Sequence, residues 1–164
     1  MADTSFFLLL VLLTAFYTAT AQQRYTNITT GSSLTPTGNS SSWQSPSGLY
    51  AFGFYQQGSG YSVGVFISGI PEKTVVWTAN RDDPLVNQTA TLVLTTDGRL
   101  VLQPTQGEET NIANSQSASS ASMLNTGNFV LYNSDGDIIW QSFEHPTNTL
   151  FVGQRLLNEG SLNS

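Results

Sequence analysis

The apolar residues of this chain fall in short runs, not in helical stripes. Between residues 50 and 141, stretches rich in Val, Ile, Leu, Phe, Tyr and Trp are separated at regular intervals by Gly, Asn, Asp and Pro. That pattern predicts strands joined by tight turns, and no window carries a helical period. The chain therefore reads as all-β. Residues 22–46, rich in Ser, Thr, Gly and Asn, read as an extended lead-in with one early strand.

The runs also repeat. GRLVLQ at 98–103 lines up with GNFVLY at 127–132, and VVWTA at 75–79 with IIWQS at 138–142. NIANS at 111–115 takes the equivalent place in a middle unit, with Ala113 where the others have Trp77 and Trp140. GYSVGV at 60–65 falls in line with the two glycine-led strands, giving three units at 60–79, 98–115 and 127–142. One such unit cannot bury its apolar face alone. Three are expected to close around a shared core, with Trp77 and Trp140 pointing into it.

Composition narrows the setting. The 164-residue chain opens with an apolar run at 6–17 followed by small residues ending Ala19-Thr20-Ala21. This reads as a secretory signal peptide over 1–21, since a membrane span needs about 20 apolar residues. An uncleaved anchor is the other reading, because Asp3 stands where a signal peptide carries Lys or Arg. No second apolar run follows, so no membrane span is expected. Asn27, Asn39 and Asn87 each open an N-x-[ST] glycosylation sequon, in keeping with export. With no cysteine and one histidine, disulfides, ordinary zinc sites and a cysteine nucleophile drop out, and neither metal nor cofactor is expected. A net charge of −6 would repel phosphate backbones, which argues against nucleic acid. The remaining polar surface is mostly neutral and suits sugars or protein partners.

Several local patterns have two readings. GYSVG at 60–64 fits the G-x-S-x-G of a hydrolase nucleophile, with Asp97 and His145 as paper partners for Ser62. That motif needs a strand before the serine and a helix after it. Here a QQGSG turn precedes and VGVFI follows, so no enzyme and no catalytic residue is expected. Asp82 and Asp83 before Pro84 read as loop-capping rather than paired catalytic acids. Residues 133–137 resemble the start of a calcium loop, but Ile138 stands in the glycine's place and a hairpin turn at Asp135-Gly136 is the simpler account. His145 is expected to help a turn pack.

TVVWTANRDDPL, TTDGRLVL, MLNTGNFVLY and IIWQSFEHPTNTLFVGQRL together resemble the bulb-type (monocot mannose-binding) lectin domain. The closer likeness is to the version in the extracellular part of plant G-type lectin S-receptor-like kinases and S-locus glycoproteins. The resemblance implies a type II β-prism of three four-stranded sheets about a pseudo-threefold axis. It would occupy 22–155, with 156–164 as a frayed tail. It also implies a mannose site, Q-x-D-x-N-x-V-x-Y, whose alternate side chains share one strand face. Against that motif the first unit keeps Gln57 and Val63, the second Asp97 and Val101, and the third Asn128, Val130 and Tyr132. Every row is incomplete: Leu124 and Thr126 replace the motif's Gln and Asp in the third, and Arg99 replaces its Asn in the second, as a new contact or an edge charge. Asn128 also admits a plain turn role behind Gly127. The implied partners are mannose-containing glycans or, on a degenerate scaffold, a protein, and the resemblance allows a dimer.

Overall fold

The computed structural model describes residues 27–70, 73–113 and 115–145; the expected signal peptide at 1–21 and tail at 156–164 lie outside them. The described chain is built from twelve strands and one 3-10 turn at Ser142–Glu144. Three short strands come first: β1 (Ile28–Thr29), β2 (Ser33–Leu34) and β3 (Ser42–Gln44). Then follow β4 (Tyr50–Gln57), β5 (Gly60–Ile67), β6 (Thr74–Thr78), β7 (Thr91–Leu94), β8 (Leu100–Gln103) and β9 (Thr110–Asn111). The last three are β10 (Ser120–Met123), β11 (Phe129–Tyr132) and β12 (Ile138–Gln141).

They form three four-stranded antiparallel sheets, β3-β4-β5-β6, β2-β7-β8-β9 and β1-β10-β11-β12, here called first, second and third. This is the β-prism arrangement. Each repeat therefore contributes three consecutive strands, one more than its glycine-led pair. The lead-in departs further from expectation, supplying three strands where one was foreseen. The reason is that β4, β7 and β10 would each leave an unpaired edge, and the lead-in pairs all three in turn.

Side chains alternate across every sheet. On β8 and β11, Leu100, Leu102, Phe129 and Leu131 face the shared core, and Val63 and Val65 do so on β5. The sheets fill this core differently. The first and third supply aromatics: Phe52 stacks on Phe129 at 3.8 Å, Trp43 lies 6.1 Å from each, and Trp77 meets Trp140 edge-on at 5.9 Å. The second supplies Leu34, Leu92, Leu94, Leu100 and Leu102. Each fully buried side chain of this size is worth about 1.5–3 kcal/mol.

Pairing corrects the repeat alignment in the middle unit. Trp77 lies opposite Val65 and Trp140 opposite Leu131, but Thr110 lies opposite Leu102. Thr110, not Ala113, therefore takes the tryptophan's place, and leucines fill the volume.

The connectors close the prism by bonding to the hairpin turns. Tyr61 and Val86 exchange two backbone hydrogen bonds of 2.9 Å, and Ala118 N donates to Gly98 O at 3.1 Å. Ser47 N donates to Asn125 Oδ1 at 2.9 Å. Gly98 has φ +81°, and a Cβ there would collide with the backbone of Ala118. Only glycine suits that junction.

Candidate functional site

The outer sheet faces lie off the shared core, although that of the first sheet buries a small cluster of its own in Ala51, Tyr55 and Phe66, and the three motif rows meet different fates there. In the first sheet the row breaks. Gln57 is exposed at the end of β4, where its Oε1 accepts a 3.1 Å hydrogen bond from Ser62 Oγ. Val63 points into the core, so its assignment as a sugar contact is corrected. The physical reason is a one-residue slip, which sends a strand's side chains to the opposite face. Val65 opposes Trp77 as Leu131 opposes Trp140, so the outer position matching Val130 is Gly64. Ser62 sits on β5, which continues to Ile67 with no helix after it, so the nucleophile-elbow geometry is absent.

The second row is on one face but occupied by its own charges. Arg99 Nε donates to Asp97 Oδ2 at 2.8 Å and its Nη1 to Glu109 Oε1 at 2.5 Å, while Gln103 Nε2 donates to Glu109 Oε2 at 2.9 Å. The Thr95 hydroxyl and then the Arg99 guanidinium hold the Asp97 carboxyl below its ordinary range. Gln103 and then Arg99 do the same for Glu109, and the two acids raise Arg99. Val101 is fully buried between Arg99 and Gln103 along the strand. The ion pairs commit Arg99 to both acids, while the Asp97 side chain stays mostly exposed.

The third row is on the outer face of β11, alternating with Phe129 and Leu131 in the core. Here the structure brings Asn128, Val130 and Tyr132 together, with Val130 fully buried and Tyr132 half-buried. Asn128 is not turn chemistry alone. Its Oδ1 accepts from Ser142 Oγ and Phe143 N, both at 3.2 Å, and its Nδ2 donates to Gln141 Oε1 at 2.8 Å. Ser142 Oγ in turn accepts from Phe129 N at 3.0 Å. The side chain pins the 3-10 turn to the end of β11. Gln141 Nε2 continues the chain to Glu144 Oε1 at 2.8 Å.

Sequence reasoning missed Gln141, Ser142 and Glu144. The polar residues directly after Trp140 were a visible signal, but partnership with Asn128 needs the β11–β12 register. His145 meets its expected packing role: its carbonyl accepts from Trp77 Nε1 at 2.6 Å and its ring stacks 5.3 Å from Trp140. Residues 133–137 form the foreseen turn, with Asn133 Oδ1 accepting from Asp135 N at 3.0 Å and Asp137 N at 2.9 Å. Asp83 N donates to the backbone carbonyl of Asn80 at 2.9 Å, closing a turn before Pro84.

Residues 74–163, more than half of the chain, match the family described as D-mannose binding lectin. The chain belongs to that family. Among similar proteins, the G-type lectin S-receptor-like serine/threonine-protein kinase LECRK1 of Oryza sativa subsp. indica is 41% identical over 155 residues, covering 90% of this chain and 19% of that protein. LECRK2 of Oryza sativa subsp. japonica is 38% identical over 166 residues, 95% of this chain and 20% of that protein. The corresponding kinase RLK1 of Arabidopsis thaliana is 35% identical over 161 residues, 90% of this chain and 19% of that protein. The chain thus spans about a fifth of the length of these relatives. The match takes in their lectin domain, and these 164 residues hold no kinase domain.

Two outcomes follow from the geometry. Asn128→Ala leaves the Phe143 N–H and the Gln141 and Ser142 side chains short of a partner, so chemical unfolding followed by tryptophan fluorescence should show a loss of about 2 kcal/mol or more. For the second row, both carboxyl pKa values are depressed in the folded state. Their stabilisation is therefore present above the unfolded values of about 4 and lost as pH falls through the lower folded ones. Thermal melts of wild type and Arg99→Met should differ slightly at neutral pH and converge below about pH 4. A difference that grows in acid would contradict the ion-pair assignment.

Proposed function

We propose that this domain recognises mannose-type glycans through the outer face of its third sheet. The observation that carries this reading is the row formed by Asn128, directly before β11, with Val130 and Tyr132 on β11 of a lectin-family prism. A neutral hydrogen bond nets about 0.5–1.5 kcal/mol, so a single shallow site binds weakly and several sites or chains acting together give useful retention. The setting is extracellular. The short apolar run before Gln22 and the three sequons support export with glycosylation. Asn27, Asn39 and Asn87 are all exposed. Asn87 Oδ1 accepts from the sequon's own Thr89, at 3.0 Å from N and 2.7 Å from Oγ1, which leaves the acceptor amide on a solvent-facing turn.

A second reading is protein recognition on a degenerate lectin scaffold, as in a receptor ectodomain or a second copy of this chain. Ile138 and Ile139 favour it, being exposed apolar residues on β12, an edge strand of the third sheet.

Titration calorimetry of the exported protein with methyl α-mannoside and a branched oligomannose separates the two. Saturable binding, weakened at least about tenfold by Tyr132→Ala with the fold intact, is the expected outcome. Absence of heat up to millimolar sugar would pass the case to a protein partner. Mass spectrometry of the same material should find Asn87 glycosylated and the modification lost in Thr89→Ala; an unmodified Asn87 in exported protein would remove that part of the reading.

A further inference from the structure

The mannose motif to which the third unit was compared carries two amides and one carboxylate along a single strand. In this chain Leu124 and Thr126 have removed one amide and the carboxylate from that strand. The structure restores the same chemical set from the neighbouring strand and turn. Asn128 Nδ2 donates to Gln141 Oε1, and Gln141 Nε2 donates to Glu144 Oε1, both at 2.8 Å. The relay runs outward from buried Asn128 through half-buried Gln141 to exposed Glu144.

We infer that Gln141 and Glu144 take over from the lost motif residues, so that the sugar is held by an amide–amide–carboxylate relay spanning β11, β12 and the 3-10 turn. This rests on the glycan-binding reading and says which groups of the third sheet would carry it.

Position supports the exchange. Gln141 lies opposite Val130. Beyond it β12 ends, and the 3-10 turn that bonds back to Asn128 through Ser142 and Phe143 carries Glu144 beside the same row.

Valence supports it as well. Among the described residues, the Asn128 and Gln141 amide nitrogens each use one N–H, leaving one apiece, and Glu144 uses one carboxylate oxygen, leaving the other. Two donors and an ionised acceptor on one connected line match neighbouring sugar hydroxyls, each of which both donates and accepts. The internal bonds hold the relay in place before the ligand arrives, which lowers the ordering cost of binding. In the second row the position of Asn128 is taken by Arg99, which bridges Asp97 and Glu109.

Glu144→Gln tests this, since it keeps the side chain's shape and an oxygen facing Gln141 while removing the charge. The full chain and the variant are titrated with methyl α-mannoside and its single-deoxy analogues, and side-chain amide resonances are followed by NMR. We expect mannoside to shift the Asn128 and Gln141 amide signals, and Glu144→Gln to bind at least about tenfold more weakly at an unchanged melting temperature. Loss of one particular hydroxyl should then cost the wild type affinity but cost the variant little, a coupling that a merely structural role would not produce. Wild-type binding that Glu144→Gln leaves unaltered overturns the relay and spares the glycan reading. Failure of the wild type to bind any of these sugars overturns both.

Discussion

A four-stranded sheet with one apolar face has nowhere to hide it except against another sheet, and this domain has no disulfide to compensate for poor burial. Everything else is subordinate to bringing three such faces together. The Phe52–Phe129 stack joins the first sheet to the third, the Trp77–Trp140 contact joins them again, and the leucines of the second sheet occupy the remaining third of the core. The threefold pattern is a property of backbone pairing more than of side chains. Thr110 can stand where its counterparts are tryptophans because the core fixes total volume more firmly than identity at each position.

The outer faces lie off the shared core, with only the small Ala51, Tyr55 and Phe66 cluster buried on the first, and there the three rows have diverged. One has lost its register, one carries an ion-paired arginine in place of the asparagine, and one has had its asparagine drawn into holding a turn. On the proposed glycan reading, the last change would tie recognition to architecture. A side chain that fixes the 3-10 turn is also the innermost member of a polar line reaching the surface, so the two roles cannot be separated by deleting Asn128 alone.

The all-β class, the three units and the inward tryptophans were legible because alternation and repetition are local signals, and Trp77 and Trp140 sit in equivalent words of sequence. The lead-in was less legible. Ile28–Thr29 and Ser33–Leu34 are too short to show alternation, and become strands only because a distant edge needs pairing. The slip at Val63 was hidden for a related reason: GYSVGV offers valines at alternate positions and glycines at others, so spacing from Gly60 cannot say which set faces inward. At the third row the residues on one strand were readable, whereas the link from Asn128 to Gln141 and Glu144 runs across strands.

The order in which the lead-in strands are used bears on how the domain comes to exist during synthesis. β1, the first of the described strands to be made, pairs with β10, nearly the last. β2 pairs with the middle unit, and β3 joins the first. The opening segment is thus threaded through all three sheets in reverse order, and its outermost pairing must wait until almost the whole domain has emerged. Closing so long a loop comes late and slowly. On the proposed export route, Asn27, beside β1, would meet a glycosylating enzyme on an open chain, before the sheet edge that flanks it has a partner.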